Sequence, residues 1–356
     1  MVRLPVLLLS SGDVLDELRA ALSGGEPLVE GPLDGWEKRA AIGVSTSGST
    51  GEPKTVLLDA EALTTSAEAT HERLGGAGTW LLALPTSHIA GIQVLVRSVV
   101  AGTAPGVLDM SKGFRAMGFA QAARPVLAEP GRHYTALVPT QLSRLVIGEG
   151  PGLEALRQFD GVLIGGAATP PKLLQQARAL GVQVVTTYGM SETAGGCVYD
   201  GVPLTGVTLR TDDVIEISGP VLALGYRGNP DPFGEWFRTG DLGRLRDGRL
   251  EVLGRADDVI VTGGEKVPPV LVERALATVD GVLEACVVGV RDDEWGQVVA
   301  AAVVTRGGTP SVDELKAVVT EQVGRVAAPK LVRFVHELPL RGPGKVDRTA
   351  VADSFR

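Results

Sequence analysis

Val44-Ser-Thr-Ser-Gly-Ser-Thr-Gly-Glu-Pro-Lys-Thr55 is the stretch on which the reading depends. It packs five hydroxyl side chains and two glycines into the seven residues from Ser45 to Gly51, closes on Lys54, and follows the apolar run Ala40-Ala-Ile-Gly-Val44. A strand ending in such a loop offers backbone N–H groups, hydroxyl donors and one cation to a polyphosphate. It is not a Walker loop, because Pro53 stands where that motif needs the glycine before its lysine. The bland alternative is a solvated Ser/Gly linker, but such linkers rarely close on Glu-Pro-Lys.

The surrounding chain is that of a globular α/β protein. Its 356 residues suffice for two domains and a sizeable core. A hydrophobic share of 44% with 21% charged residues excludes wholesale disorder, and the 47 glycines and 22 prolines follow no collagen period. The net charge is −8 and the 34 Lys and Arg are scattered, which argues against a nucleic-acid binder held by a basic face. The apolar start, Met1 to Ser10, is too short for a signal segment, and Pro85, His88, Gln93 and Arg97 interrupt the most apolar later stretch, so no stable membrane insertion is expected. Cys197 and Cys286 form no CxxC, which fits a reducing, cytoplasmic setting.

Apolar β-branched runs alternate with amphipathic helical patterns. The spacing predicts a helix over Lys172 to Leu180 before a strand at Val182 to Thr187, and a helix over Pro269 to Thr278 before a strand at Ala285 to Val290. From Glu235 to Leu253 the pattern alternates like antiparallel strands turning on Asp247-Gly248. The charged stretch Gly254-Arg-Ala-Asp-Asp258 follows. The expected class is therefore α/β (α+β), with a large N-terminal domain of layered sheets and helices over residues 1–256 and a smaller α+β C-terminal domain over 257–356.

Thr46 to Lys54 resembles, at every position, the phosphate-loop signature of the adenylate-forming superfamily of acyl-CoA synthetases, adenylation domains and luciferases. Four further stretches agree in order: Thr187-Tyr-Gly-Met-Ser-Glu-Thr193, Arg238-Thr-Gly-Asp-Leu242, Gly254-Arg-Ala-Asp-Asp-Val-Ile260 and Pro343-Gly-Lys-Val-Asp-Arg348. Coverage runs from about residue 43 to 350. The loop lies close to the chain start, whereas most relatives carry a much longer segment before it, so the resemblance implies a shortened N-terminal portion.

The resemblance implies ATP, Mg²⁺ and CoA as co-substrates and metal. Attack of a carboxylate on the α-phosphorus joins two anions, so cations and oriented donors must offset their repulsion. Thr46, Ser47, Gly48, Ser49, Thr50, Gly51 and Lys54 are expected to hold the leaving phosphates. Thr193 is expected to donate to the α-phosphate and Glu192 to hold Mg²⁺, a hard ion that takes one or two carboxylates plus phosphate oxygens. Tyr188 and Gly189 on one side, and Gly165, Gly166 and Ala167 on the other, are expected to line adenine. Asp241 is the expected acceptor for the ribose hydroxyls, helped by Arg255. Lys345 is implied as the catalytic cation that bridges the attacking carboxylate and the α-phosphate. Asp257 matches the family's hinge, about which the mobile C-terminal domain swings, with Gly263 and Gly264 facing CoA.

Within the superfamily, Pro85-Thr-Ser-His-Ile-Ala-Gly91, Ile92 to Ser98, Ser111 to Phe114 and Leu137 to Leu142 look most like the o-succinylbenzoate–CoA ligases of menaquinone synthesis. That acid is a dicarboxylate: the aliphatic group reacts and the aromatic one has to be held by a cation. Arg97 is the residue assigned to it, with His88, also a catalytic candidate, gating or contacting the acyl group and Gly195 and Gly196 leaving room for the ring. The competing assignment makes His88 a helix cap and Arg97 a surface charge. Another aryl- or acyl-CoA ligase, or a non-catalytic nucleotide-binding relative, stays open at this point. The expected partners are small molecules; oligomeric state is not legible, and the resemblance leaves room for a homodimer.

Overall fold

The computed structural model describes residues 13–47, 53–148, 150–340 and 346–356. Helix α1 (Asp13–Leu22) leads to a hairpin of β1 (Ile42–Ser47) and β2 (Pro53–Leu58). Its two strands pair antiparallel from Ile42↔Leu58 to Ser47↔Pro53, so the phosphate-loop motif spans a hairpin end. Helix α2 (Ala60–Leu74) follows, capped by the Asp59 side chain accepting from Ala62 N–H and ended by Gly75 in the left-handed region at φ 90.

The central layer is a parallel sheet. Strands β3 (Gly78–Leu82), β4 (Gly106–Val107), β5 (Arg132–Leu137) and β6 (Gly161–Ile164) alternate with α3 (Ile89–Ala101), α4 (Ala116–Ala128), α5 (Pro139–Gly148), α6 (Pro151–Leu156) and α7 (Pro171–Ala179). The sheet continues through β7 (Val184–Met190), then turns antiparallel through β8 (Gly195–Tyr199) and β9 (Val202–Pro203), in the order β4-β3-β5-β6-β7-β8-β9. The buried strand β6 is apolar throughout, and β3 is apolar but for Thr79, as a sheet covered on both faces requires. The predicted helix–strand unit at 172–187 is present as α7 and β7.

A four-stranded antiparallel sheet comes next, from β10 (Thr208–Asp212), β11 (Val214–Ser218), β13 (Phe237–Arg246) and β14 (Arg249–Arg255), while β12 (Gly225–Tyr226) leaves it to pair with β2. The hairpin turns where the alternation predicted: Asp247 and Gly248 stand at φ 51 and 72, both in the left-handed region that this tight turn needs.

Beyond Asp258 a five-stranded sheet forms from β15 (Ile260–Thr262), β16 (Glu265–Val267), β17 (Val282–Asp292), β18 (Gly296–Thr305) and β19 (Leu331–Val335), with α8 (Pro269–Leu276), α9 (Val312–Gln322) and α10 (Arg348–Asp353) against it. Among the described residues, the apolar clusters built around the first three sheets draw on no residue after Val252, and those of the last sheet on none before Ile260. No described helix is long and apolar enough to cross a membrane.

Candidate active site

Among the described residues, the motifs of the sequence converge on the ends of β1/β2, β7, β13 and β14. On the hairpin, the Thr46 hydroxyl donates to the Lys54 carbonyl at 3.2 Å. The Lys54 ammonium lies 5.1 Å from the centre of the Tyr226 ring. Tyr226 in turn donates its hydroxyl to Glu192 Oε1 at 2.8 Å, and burial, then the Glu192 charge, push its pKa up. One tyrosine thus ties the loop lysine to the acid assigned to the metal. The sequence reading missed Tyr226, because β12 has only two residues and meets β2 across a separation that no local pattern reveals. Of the loop, Gly48, Ser49, Thr50 and Gly51 lie outside the described residues, and so does Lys345. Ser47 is described only as the last residue of β1.

The turn after β7 is a single 3₁₀ turn over Ser191–Thr193. The Thr193 side chain is fully buried, accepts from Met190 N–H at 2.9 Å and donates to Gly195 O at 2.8 Å. Its hydroxyl is thus engaged within the turn. Ser191, a second hydroxyl of this stretch, sits beside Glu192 at the start of the turn. Ala194 then adopts a left-handed φ of 49. Gly189 packs against β8 so closely that a Cβ would lie 2.0 Å from Gly195 O, which makes its role one of strand packing.

Tyr188 and Asp241 come together: the phenol donates to Asp241 Oδ2 at 2.8 Å. Burial and the Asp241 charge both raise the Tyr188 pKa, so it stays protonated as the donor. Arg255 approaches the other oxygen, Oδ1, at 3.5 Å and holds Asp257 at 3.0 Å. A carboxylate has about four lone-pair sites, so Asp241 keeps capacity for hydroxyl donors. Gly165 backs onto Thr187, whose Oγ1 would lie 2.3 Å from an added Cβ, while Gly166 and Ala167 are exposed. Beyond Asp257, Arg348 binds Asp258 at 3.3 Å and Glu273 at 2.7 Å. Gly263 and Gly264 turn the β15–β16 hairpin. Gly263 lies under Trp295, whose ring is 2.8 Å from where a Cβ would stand, and Lys330 sits 3.7 Å above that ring.

Helix α3 builds the second half of the site. His88 is its N-cap by backbone position, is exposed, and makes no capping bond with its side chain. Ile89, Gln93 and Arg97 follow at successive turns on one face. Gly195 stands across from the first two: its Cβ would be 3.2 Å from Gln93 Cγ and 3.7 Å from Ile89 Cγ1. Gly196 faces away, toward Thr187 and the Tyr199 ring. Arg97 is no surface charge. It is 3% exposed, lies 5.0 Å from the Trp80 ring centre and donates to Tyr199 Oη at 3.3 Å. Among the described residues no carboxylate pairs with it, and its Nε is buried without a partner. Burial lowers its pKa, partly opposed by Tyr199. The Trp80 indole donates to His71 Nε2 at 3.2 Å, and burial followed by the Arg97 charge lowers the His71 pKa to about 4.

The AMP-binding enzyme family model matches residues 38–226, and the model of the AMP-binding enzyme C-terminal domain matches 271–345. The chain belongs to the AMP-binding enzyme family. Among AMP-binding enzymes it is 49% identical over 326 residues to a "probable 2-succinylbenzoate–CoA ligase" of Mycobacterium tuberculosis (strain ATCC 25618 / H37Rv), covering 88% of this chain and 84% of the relative. It is 34% identical over 337 residues to the 2-succinylbenzoate–CoA ligase of Geobacillus sp. (strain WCH70), covering 85% and 66%. Among solved structures it resembles the o-succinylbenzoate CoA synthetase of Bacillus subtilis in complex with the acyl-adenylate intermediate OSB-AMP. That match has a TM-score of 0.73 at 28% identity and covers 88% of this chain and 69% of the other. The amide bond synthetase McbA of Marinactinospora thermotolerans gives a TM-score of 0.80 at 26% identity, covering 93% and 73%. The mixed α/β architecture is that of the adenylate-forming AMP-binding enzymes.

Proposed function

We propose that this chain is an AMP-forming ligase that converts 2-succinylbenzoate, ATP and CoA to the CoA thioester, AMP and pyrophosphate through an acyl-adenylate, in the cytoplasm, for menaquinone synthesis. The observation that carries the choice of acid is Arg97, a buried guanidinium without a carboxylate at the end of the α3 face. Burying a lone charge costs several kcal/mol, so such a cation calls for an anion that arrives with the ligand. A monocarboxylate spends its only charge on the reaction; a dicarboxylate has one to spare.

In this reading Asp241 takes the ribose hydroxyls, with Tyr188 and Arg255 fixing its carboxylate, and the 46–54 hairpin takes the leaving phosphates. Ser191, in place of Thr193, donates toward the α-phosphate. Glu192 suits a hard cation. Its Oε1 is oriented by Tyr226, and no cluster of three or more His, Cys, Asp or Glu occurs among the described residues, so phosphate oxygens and water would complete the shell. Mg²⁺ there would neutralise phosphate charge. The acyl chain runs from His88 past Ile89, Gln93 and Gly195 to Arg97, about 13 Å along the helix at 1.5 Å per residue.

The domains divide at 256/257 in this proposal. Asp257, the first residue past that division, is the hinge: Arg255 reaches it from the nucleotide side, while Arg348 holds its neighbour Asp258 within the small domain. A homodimer is tested by sedimentation, where a monomeric boundary removes it.

The decisive assay is carboxylate-dependent ATP–pyrophosphate exchange over 2-succinylbenzoate, benzoate, fatty acids and amino acids, followed by thioester detection. Exchange dominated by 2-succinylbenzoate supports the proposal; equal exchange with monocarboxylates overturns it. Lys345→Ala is expected to abolish adenylation while thioester formation from preformed acyl-adenylate largely survives.

A further inference from the structure

Two side chains one turn apart on α3 end in unmatched atoms: Gln93 Oε1 and Arg97 Nε are buried with no hydrogen-bond partner among the described residues. The Gln93 amide cannot be turned to repair this. Its Nε2 donates to Ala194 O at 2.7 Å, and a flipped amide would set oxygen against oxygen. Ala194 O also accepts from Ser66 Oγ at 3.2 Å. This carbonyl belongs to a non-glycine residue in the left-handed region, immediately after the turn bearing Glu192. Such a conformation persists only where its surroundings over-determine it, and here Ser66 and Gln93 do so.

A second chain of bonds leads from Arg97 to Ser66. Its NH2 donates to Tyr199 Oη at 3.3 Å. The Thr70 hydroxyl lies 2.8 Å from Ser66 O, a carbonyl that can only accept, so the Thr70 proton is spent there. Tyr199 therefore donates to Thr70 across their 2.9 Å contact. Arg97, Tyr199 and Thr70 thus form a hydrogen-bonded chain that ends on the main-chain carbonyl of Ser66, the residue whose hydroxyl separately donates to Ala194 O. Both unmatched groups of α3 lead to the residues that hold one strained carbonyl of the adenylation turn.

We propose that Gln93 is a positioning residue that couples filling of the Arg97 end of the acyl pocket to the turn carrying Glu192, so that an acid with a second anionic group is adenylated faster and not only bound more tightly. This rests on reading Arg97 as the acid's second anchor. An anion at Arg97 orders that guanidinium and the face of α3 beside it, and Gln93 carries the ordering to Ala194. Coupling between sites of this kind is typically worth about 5- to 150-fold.

The test crosses two acids with two enzymes. ATP–pyrophosphate exchange is measured with 2-succinylbenzoate and with benzoylpropionate, the same skeleton without the ring carboxylate, for the unaltered chain and for Gln93→Met, which roughly keeps volume. The unaltered chain is expected to favour the diacid in both KM and kcat, the latter by about 10-fold. In Gln93→Met the kcat advantage falls to near unity while the KM advantage persists. Ser66→Ala, which removes the other bond to Ala194, is expected to shrink the kcat advantage in the same way and carries the test if Gln93→Met does not fold. Equal loss of kcat for both acids marks a merely structural role and overturns the proposal, as does an unchanged kcat ratio. A KM difference without a kcat difference in the unaltered chain defeats the coupling alone; no KM difference at all defeats the reading of Arg97 with it.

Discussion

Arg97 and Arg348 are both withdrawn from water, with opposite surroundings. Arg348 meets Glu273 and Asp258 and donates to Val287 O at 2.7 Å. Burial alone would lower its pKa, but Glu273, with Asp258, outweighs that and raises it. Arg97 has an aromatic ring, a phenol and no acid, and its pKa is lowered. The first is a closed account of charge that holds Asp258, a helix and a strand together. The second is open, and an open charge in a core is where a ligand's charge belongs.

The largest effect should come from closing that opening. Arg97→Met is expected to lower kcat/KM for 2-succinylbenzoate about 10²- to 10³-fold, the range for truncating one partner of a buried charge pair, and to leave benzoylpropionate nearly unchanged. Pyrophosphate exchange with both acids checks it. Equal losses would mean that Arg97 supports the fold and not the acid.

Stability should invert the pattern. Arg348→Met leaves Glu273 and Asp258 without their cation and should cost about 2–3 kcal/mol, the lower end for a broken buried pair because the site is partly exposed. Arg97→Met removes an uncompensated cation, so its urea midpoint should stay or rise. A shared fall in both variants would erase the distinction.

Much of this was legible in the chain. The Asp247-Gly248 turn and the α8–β17 unit are local patterns of spacing, and each appears where its pattern lies. Arg97 was legible as an oddity, a guanidinium that with Gln93 interrupts the apolar Ile89-Ala-Gly-Ile-Gln-Val-Leu-Val-Arg97. Its cage was not, because Trp80, His71 and Tyr199 come from two further strands and a helix, and Tyr199 lies 102 positions away. The surroundings of Thr193 were hidden for a related reason. The motif supplies a hydroxyl, but its engagement with the carbonyls of Met190 and Gly195 depends on the geometry of a 3₁₀ turn.

His71 offers a finer reading of the same open charge. Its pKa falls from 6.5 to about 4, through burial and then Arg97. Below pH 6.5 the unfolded chain gains a proton that the folded chain refuses, so stability rises with pH across this window and is lost on acidification until about pH 4. The loss should reach about 1 kcal/mol by about pH 5.5. In Arg97→Met the slope should be shallower, since one of its two causes is gone. Melting temperatures of both forms across this range decide it; parallel slopes would show that Arg97 does not act on His71.

The smallest effect is expected where charges pair in the open. Lys172 on α7 reaches Asp280, beyond α8, at 3.0 Å, linking the large part of the chain to the small one, with side chains 54% and 101% exposed. By distance this pair rivals the contacts of Arg348. In water, however, each partner is solvated whether or not the other is present, and holding two long side chains together costs entropy. Lys172→Ala should therefore give no resolvable change in melting temperature, and any change in the balance of adenylation and thioester formation should stay within about two-fold and vanish in high salt. A destabilisation comparable to that of Arg348→Met would mean that proximity rather than burial sets the weight of an ion pair in this fold. The inference that Arg97 awaits an anion would then lose its footing, since it depends on burial being what makes an unpaired charge expensive.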